Sequence, residues 1–235
     1  MYMRKKNLYL GTIAVLFLIA CAWSIPLVAA SQVQGANATF VSSTTGTSPA
    51  TTTAPAIGGN ITAVNISGSS ITDRWAGFYG NISGVVRLAD AAGNKFYQWS
   101  INVITGAVVY ATNGTVSNWS TLVPASYVNM PAYLVQSAAD NYSNTFVANE
   151  TFSTNLRSIN NVFYTYTLNG SVQNSSFKTY SLAASVNASA QDNSTLVFAG
   201  KAVQQSNTFD NNAADFQIIA PARSLTTYYF YLELP

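Results

Sequence analysis

Hydrophobic and polar positions divide the chain of 235 residues into three stretches of different character. The first contains a run of 23 uncharged residues, 8–30, which follows the basic cluster at residues 4–6. A run of this length is enough to cross a hydrocarbon core about 30 Å thick. The order basic, apolar, small is typical of a secretory signal, and Val28, Ala29 and Ala30 suit cleavage before Ser31.

This N-terminal segment, residues 1–30, has three alternative fates. Signal peptidase removes it after Ala30, or it stays as a membrane anchor with its basic end in the cytoplasm. In the third alternative Cys21 carries a lipid, because residues 18–21 (LIAC) have the look of a lipobox. Without a lipid, Cys21 is a small apolar residue in a hydrophobic segment. All three fates place residues 31–235 outside the cytoplasm.

The second stretch, residues 31–59, is rich in serine and threonine and shows no hydrophobic period. Nine Ser and Thr residues between positions 42 and 53 lie around Pro49 and Pro55. Such a composition cannot bury enough surface to order itself. The sequence predicts a disordered stalk here, which is either O-glycosylated or a plain flexible linker.

The third stretch, residues 60–235, consists of short alternating segments separated by turn residues. Val162, Tyr164 and Tyr166 alternate with Phe163 and Thr165, which places the first set on one face of a strand. Further strand signals lie at residues 75–79, 107–112, 196–199, 216–220 and 226–234. This spacing predicts an all-β domain, an antiparallel β-sandwich of Ig-like or jelly-roll-like type, either single or divided into two packed subdomains.

Turn residues predict two hairpins in this stretch. Asn169 and Gly170 are the favoured pair for a type I′ turn, with the return strand beginning at Ser171. The second hairpin turns at residues 90–94, between the segments VVRLA and KFYQWSI. Evidence for helices is thin, and a helical turn or two is expected within residues 137–147 and 155–161.

The last predicted strand carries aromatic residues on both faces. Tyr228 and Phe230 face one way, and Tyr229 and Tyr231 face the other. A strand that is apolar on both faces is covered on both. We therefore expect this strand to be central, or packed beneath another layer or a second subunit.

Composition narrows the function classes. Only 8% of residues are charged, where about a quarter is usual. The absence of histidine excludes His-ligated metal sites and Ser-His-Asp or Cys-His enzymes, and a single cysteine excludes an intrachain disulfide. Residues 31–235 hold seven basic and eight acidic side chains, a net charge of −1. A domain with this charge balance lacks the excess of basic residues that binds nucleic acid.

Asn-x-Ser/Thr sequons are the most specific feature of the chain. Residues 31–235 hold 22 Asn and 48 Ser or Thr in 205 positions, so random placement would give about five sequons. There are twelve, and in an exported protein they predict N-linked glycans. Each single sequon has the alternative explanation that Asn, Ser and Thr all favour turns. The candidate sites are Asn37, Asn60, Asn65, Asn81, Asn113, Asn118, Asn141, Asn149, Asn169, Asn174, Asn187 and Asn193.

Chemistry-bearing residues are few, and no cofactor is expected. A glycosidase needs two carboxylates facing each other, and no spacing among the eight acids favours a pair, so no catalytic residue is predicted. Asp210, Asn211 and Asp215 cluster oxygen ligands suited to Ca²⁺ but lack the spacing and glycine of a calcium loop. The alternative is a polar loop with local turns.

Two groups of aromatic residues have two alternative roles. Carbohydrate-binding modules stack sugars on such rings, whereas a β-domain poor in leucine needs rings to fill its core. Burial of Trp75, Trp99 and Trp119 together would remove the sugar-binding hypothesis. The two groups are Trp75, Phe78, Tyr79 and Phe96, Tyr97, Trp99.

Three stretches carry a resemblance to a known family. They are WAGFYGNISG at 75–84 continuing to FYQWS at 96–100, DNYSNTF at 140–146, and DFQII at 215–219 with TYYFYLEL at 227–234. Together they resemble a family of uncharacterised secreted surface proteins of archaea, many from small-genome lineages. The resemblance implies an archaeal cell surface and carries over no functional residue. Family members with Cys in the central region differ from this chain, which has none there.

These patterns predict a non-enzymatic, N-glycosylated cell-surface protein with a structural, adhesive or envelope role. One alternative is a carbohydrate-binding module that contacts cells or substrates. A second alternative is a surface filament subunit, in which an extended segment of one copy completes a neighbour's sheet. The expected partners are the membrane through residues 8–30, glycans and other surface proteins, and no nucleic acid.

Overall fold

The structure is a computed structural model that describes residues 33–170, 176–187 and 190–235. The predicted export segment with Cys21 lies outside the described residues, as do Ser171 and Asn174. Within these three ranges, no helix is long and apolar enough to cross a membrane.

Short strands make up most of the described chain. The strands are β1 Gln34–Gly35, β2 Trp75–Gly80, β3 Gly84–Ala89, β4 Lys95–Ile101, β5 Val108–Thr112, β6 Val123–Pro124, β7 Ala148–Ser153, β8 Ser158–Tyr166, β9 Lys178–Asn187, β10 Ala190–Lys201, β11 Ser206–Asn207, β12 Ala213–Ala214, β13 Phe216–Pro221 and β14 Tyr229–Glu233. The helices are α1 Ala132–Val135 and α2 Tyr142–Thr145, with 3-10 turns at Trp119–Thr121 and Tyr127–Asn129. The described strand pairs are antiparallel, which confirms the all-β class.

The largest sheet has the strand order β1-β14-β5-β10-β9-β8-β7, and β6 also pairs with β9. Separate two-stranded pairs are β2–β13, β3–β4 and β11–β12. All five residues of β5 are buried, because this strand has neighbours at both edges and packed layers on both faces. Its sequence, VVYAT, is accordingly an almost continuous apolar run.

Each face of the largest sheet carries a hydrophobic cluster. Tyr110 and Val197 belong to one cluster, while their sequence neighbours Ala111 and Phe198 belong to clusters on the other face. The β2–β13 pair lies over this second face, where Ile218 packs with Ala111. The core therefore consists of two apolar layers separated by one sheet.

The strand signals at residues 75–79, 107–112, 196–199, 216–220 and 226–234 are confirmed by β2, β5, β10, β13 and β14. The last strand lies between β1 and β5, as predicted for a central strand, and rings pack on both of its faces, with Tyr229 alone exposed. On one face the ring of Phe230 contacts Phe78, with centroids 5.2 Å apart. On the other, Tyr231 contacts Trp119 at 4.8 Å.

One predicted hairpin is confirmed and the other has a different turn. Residues 90–94 connect β3 to β4 as expected. The prediction of a two-residue hairpin turn at Asn169 and Gly170 is wrong. β8 and β9 pair through Tyr166 and Lys178, so residues 167–177 connect them. The N–H of Gly170 instead donates to the carbonyl of Thr208 at 2.9 Å, so this turn makes a tertiary contact.

The helical turn predicted within residues 155–161 is also wrong, since β8 begins at Ser158. The N–H of Thr154 donates to the carbonyl of Arg157 at 2.9 Å and returns the chain from β7 to β8. Phe152 and Ile159 are then strand partners, and both are buried. Burial of this pair outweighs the local turn tendency of the sequence. The other predicted range, 137–147, does contain α2.

The N-terminal part of the described chain is a short edge strand followed by a long exposed segment. Residues 34–73 are all exposed, and residues 36–74 form no helix or strand. β1 therefore lies within the range that the sequence assigns to the stalk.

Asp215 is a buried carboxylate that fixes the connection between β2 and β3. Its Oδ2 accepts the N–H of Ile82 at 2.8 Å, and its Oδ1 accepts the N–H of Gln205 at 3.0 Å. Its own N–H donates to the carbonyl of Gly80 at 2.9 Å. These bonds hold the base from which the β3–β4 hairpin extends.

Candidate functional site

The β3–β4 hairpin presents apolar side chains to solvent. Val86 is the strand partner of Trp99, and Leu88 is the partner of Tyr97, so the four side chains share one face. Each side chain is half exposed, at 50 to 56%. Within the described ranges, neither strand of this hairpin pairs with any further strand. We call these four residues the hairpin face.

Two rings dominate the hairpin face. The centroids of Tyr97 and Trp99 lie 4.8 Å apart with their planes inclined by 57°. Tyrosine and tryptophan combine a large apolar body with a polar tip, and both are enriched where proteins contact other molecules. This face can therefore pack against an apolar protein surface or against the C–H face of a sugar.

The turn at the tip of the hairpin is rigidly bonded. Asp90 Oδ1 accepts the N–H of Ala92 at 3.0 Å and that of Asn94 at 2.8 Å. Gly93 adopts a φ of 85°, which favours glycine. The hydrogen bond from the Asn94 side chain, followed by that from its N–H, lowers the pKa of Asp90. The tip is thus an ionised, preformed turn.

The hairpin joins the core only at its base. Six of the seven residues of β4 are exposed, and only Ile101, at the end, is half-buried. Ile101 packs with Ile82 against a small cluster formed by Ile104, Ala107 and Ala202. Phe96, on the face opposite Tyr97, is 84% exposed. Both faces of the hairpin are accordingly available for contact.

The remaining aromatic candidates have mixed positions. Trp75 is half-buried, and its Nε1–H donates to the carbonyl of Asp140 at 2.7 Å. Trp119 is half-buried between the rings of Tyr110 and Tyr231. Trp99 is exposed, so the burial of all three that would remove the sugar-binding hypothesis is not observed. The sequence pattern does not indicate that Val86 and Leu88 are exposed, because the apolar residues of an alternating strand normally face the core.

Sequon asparagines lie at the surface of the described chain. Nine of the twelve have described side chains, and seven of these nine are exposed. Asn141 and Asn169 are half-buried. Asn174 and the side chains of Asn187 and Asn193 lie outside the described part. The seven exposed residues are Asn37, Asn60, Asn65, Asn81, Asn113, Asn118 and Asn149.

Several sequon side chains use their oxygen atom in local hydrogen bonds. Asn113 Oδ1 accepts the N–H of Leu196 at 2.8 Å, and Asn118 Oδ1 accepts the N–H of Ser120 at 2.9 Å. A glycan attaches to the amide nitrogen, so these bonds are compatible with a sugar. They also fix the direction in which the nitrogen points.

The three residues of the calcium hypothesis have separate partners. Asp215 is buried and bonded to backbone N–H groups, as described above. Asp210 accepts hydrogen bonds from Thr208 and Asn212, and the bond from Thr208 is the leading cause that lowers its pKa. Asn211 adopts a φ of 63° in the intervening turn. No group of three or more metal-ligating Asp, Glu, Cys or His side chains exists in the described part.

One arginine lies beside two acidic residues. Arg74 Nε lies 3.9 Å from Asp73 Oδ1 and 3.4 Å from Asp140 Oδ1. A positive charge between two carboxylates neutralises them, whereas a glycosidase pair faces across a substrate groove. A pocket of about 330 Å³ is lined by other residues, which include Tyr127, Tyr142 and Phe146. No acidic residue is among them.

A further charged cluster lies on β7, β8 and β9. Lys178 Nζ is 2.7 Å from Glu150 Oε2 and 4.5 Å from the ring centroid of Tyr164, and Tyr180 donates its hydroxyl to Glu150. Burial alone raises the pKa of Glu150, but the bonds from Lys178 and Tyr180 outweigh it and lower that pKa. Burial alone lowers the pKa of Lys178, but the hydrogen bond to Glu150 and the charge of that carboxylate outweigh it and raise that pKa. The arrangement is a satisfied ion pair between strands.

Comparison of the chain with protein-family models, with curated proteins and with solved structures found no match in any of the three.

Proposed function

We propose that this protein is a non-enzymatic, N-glycosylated cell-surface protein whose hairpin face makes adhesive contacts. The observation that carries the proposal is the number of sequons, twelve where random placement would give about five. Seven of the nine sequon asparagines with described side chains are exposed, so a glycan attached there would meet solvent. The export pattern of residues 1–30 and the resemblance to archaeal surface proteins support an extracellular setting.

The finer fold assignment belongs to the same proposal. Two apolar layers beside one antiparallel sheet, with β2–β13 as the start of a second sheet, support a β-sandwich of Ig-like or jelly-roll-like type. In a sandwich, loops and hairpins at the rim carry recognition while the sheets serve as the scaffold.

The adhesive role rests on the energetics of the hairpin. An isolated two-stranded hairpin is marginally stable in water, and exposed contiguous apolar side chains commonly mark an interaction site. The β3–β4 hairpin has both properties. It pairs with no further described strand, and its rings Tyr97 and Trp99 are exposed. Covering this face by a partner would remove apolar area from water and stabilise the hairpin.

The glycoprotein part is tested by mass spectrometry of peptides from the native source. We expect hexose-bearing peptides at the exposed sequons, with lower occupancy at half-buried Asn141 and Asn169. Finding every sequon peptide unmodified would refute this part. The intact mass of the same sample distinguishes removal of residues 1–30, their retention, and a lipid at Cys21.

The adhesive part is tested with a Tyr97→Ser/Trp99→Ser double variant. We expect binding to isolated envelopes of the source cells to fall at least about tenfold, because exposed aromatic residues dominate contact energies. The matched control is Tyr229→Ala, which removes a ring of similar exposure, 51%, on another strand. Equal loss in variant and control would contradict a role for the hairpin face.

Sugar binding by the same rings is the second candidate, favoured by the exposure of Tyr97 and Trp99. It is distinguished by the nature of the ligand. Binding that survives periodate oxidation of the envelope glycans supports protein contact, whereas binding that is lost after this treatment supports the carbohydrate-binding alternative.

A further inference from the structure

The edge of β14 is covered by a very short strand. Gln34 and Gly35 of β1 are the strand partners of Leu232 and Tyr231 of β14. No other described strand covers this edge. An uncovered edge presents unpaired N–H and C=O groups and accepts additional strands.

The residues that flank β1 extend this docking. The N–H of Ala36 donates to the carbonyl of Phe230 at 3.0 Å. The side chain of Val33 packs against the core cluster that contains Tyr110. Backbone bonds along an edge, together with an apolar side chain in a contact site, are the features by which added strands are recognised.

A long exposed segment tethers β1 to the domain. Residues 37–71, which we call the linker, are all exposed and form no helix or strand. Directly after the linker, the hydroxyl of Thr72 donates to Asp140 at 2.6 Å. A flexible linker of this length has a root-mean-square extension of about 30 to 35 Å and a far larger maximum reach. The tether therefore imposes little geometry on which β14 edge β1 occupies.

We propose that residues 33–36 form an exchangeable donor strand, and that its partner is the β14 edge of a second copy of this chain. The contacts made within one chain and between two chains are identical, so exchange breaks no bond that it does not form again. Reciprocal exchange closes a dimer, and one-directional exchange extends into a chain of subunits. This inference deepens the proposed surface role by naming a partner, a second copy of the chain.

Concentration decides between the two modes, because the contacts are equal. A linker of this length holds β1 near its own edge at an effective concentration on the order of 1 mM or less. Dilute protein is therefore expected to be closed on itself, while copies crowded on a surface exchange strands. The sparse charge of residues 31–235, net −1, adds little repulsion between copies.

The test uses engineered disulfides in a Cys21→Ser background, which contains no other cysteine. One chain carries Gln34→Cys and a second chain carries Leu232→Cys, which are strand partners. The two chains are mixed at about 10 μM and about 1 mM, below and near the effective concentration, and oxidised mildly. The matched control replaces Gln34→Cys with Ala38→Cys, an exposed linker residue beyond β1.

In the mixture oxidised at about 1 mM we expect the 34–232 disulfide between chains to exceed the 38–232 control at least about tenfold, and in the mixture oxidised at about 10 μM to fall to the control level. Adding Val33→Asp to the donor chain should reduce it to the control level. Formation at the control rate at both concentrations would overturn the proposal.

A single chain carrying both Gln34→Cys and Leu232→Cys checks that the variants fold and that the edge is occupied. At low concentration it should form the disulfide within the chain. If it does and the mixture does not, exchange is excluded. If neither forms, the β1–β14 pairing itself is absent and the proposal also fails. None of these outcomes depends on glycans or on binding to envelopes. Failure of strand exchange is therefore distinguishable from failure of the proposed function.

Discussion

In this domain with few charges, individual polar side chains hold strands together through hydrogen bonds. Glu233 illustrates this, since it is completely buried in the last strand. Its Oε2 accepts the hydroxyl of Tyr110 at 2.7 Å, and its Oε1 accepts the N–H of Asn155 at 2.8 Å. The carboxylate thus joins β14, β5 and the turn between β7 and β8.

Replacing Glu233 by Ala should lower the free energy of unfolding by about 2–4 kcal/mol, because buried donors lose their acceptor and a cavity is left. Urea unfolding at neutral pH measures the change. The control is Asp73→Ala, whose side chain is 71% exposed and lies 3.9 Å from Arg74 and from Arg223. We expect the control to change stability by less than about 1 kcal/mol. Equal effects of the two substitutions would contradict the anchoring role of Glu233.

The Glu150–Lys178 pair predicts a specific pH dependence. The pKa of Glu150 is lowered in the folded protein, so its contribution is present above its ordinary pKa of 4.5 and is lost as pH falls through the folded pKa. The pKa of Lys178 is raised, so its contribution is present below 10.5 and is lost as pH rises through the folded pKa. The pair therefore stabilises the fold between these limits.

A Glu150→Gln variant tests the acid limit. Between pH 7 and pH 3 the wild type should lose more unfolding free energy than the variant, by less than about 1 kcal/mol because the pair is partly exposed. Urea unfolding at pH 7, 5 and 3 measures the difference. If the two proteins lose equal amounts, the ion pair contributes nothing to stability.

At the scale of elements, one glycine shows how closely β13 crosses β10. A Cβ atom placed on Gly200 would lie 2.3 Å from Ile218 Cγ2, a distance that real side chains do not adopt. Glycine inside a strand often marks such a close approach. Gly200 therefore sets the spacing between the largest sheet and the β2–β13 pair.

A Gly200→Ala substitution should lower the free energy of unfolding by about 1–3 kcal/mol through overpacking. Ile218→Ala removes the opposing methyl group and should cost about 2–5 kcal/mol by itself. In the double variant the two costs should sum to more than the measured loss, because the cavity accepts the added methyl. Strict additivity in urea unfolding would show that Gly200 and Ile218 do not oppose each other.

The sequence predicts elements well where local and tertiary preferences agree. The segments that became β5 and β14 are apolar on both faces; β5 is buried throughout, and β14 is buried or half-buried except at exposed Tyr229. Local turn signals were less reliable, since Asn169 and Gly170 have ideal hairpin chemistry but Gly170 bonds to Thr208, a residue distant in sequence. The pattern of hydrophobic and polar residues around Gly170 carries no information about a partner so far along the chain.

The candidate site was only partly predictable for a similar reason. The sequence identifies the turn at residues 90–94 and the aromatic residues Tyr97 and Trp99. It cannot tell that β3 and β4 pair only with each other among the described strands, since alternation looks the same at the core and at the rim. The pairing of β1 with β14 was likewise hidden, because Gln34 and Gly35 have no strand propensity.

At the scale of the whole molecule, solubility is the property that sparse charge puts at risk. Only 8% of residues are charged, and residues 31–235 are nearly neutral. Charge repulsion between copies is therefore weak, while the hairpin face offers an apolar contact. Glycans on the exposed sequons would supply hydration and separation instead. The chain contains no histidine, the side chain whose ordinary pKa lies between about pH 5 and 8.

These features predict the behaviour of the same chain made in a host that lacks N-glycosylation. Its precipitation midpoint in polyethylene glycol should be lower than that of the glycosylated protein and should vary little between about pH 5.5 and 7, because no histidine is present to change the net charge there. Adding Tyr97→Ser/Trp99→Ser should raise the midpoint by removing the apolar contact, whereas Tyr229→Ala should not. Equal midpoints for the glycosylated and unglycosylated proteins would instead mean that the polar Asn, Ser and Thr side chains alone keep this weakly charged surface in solution.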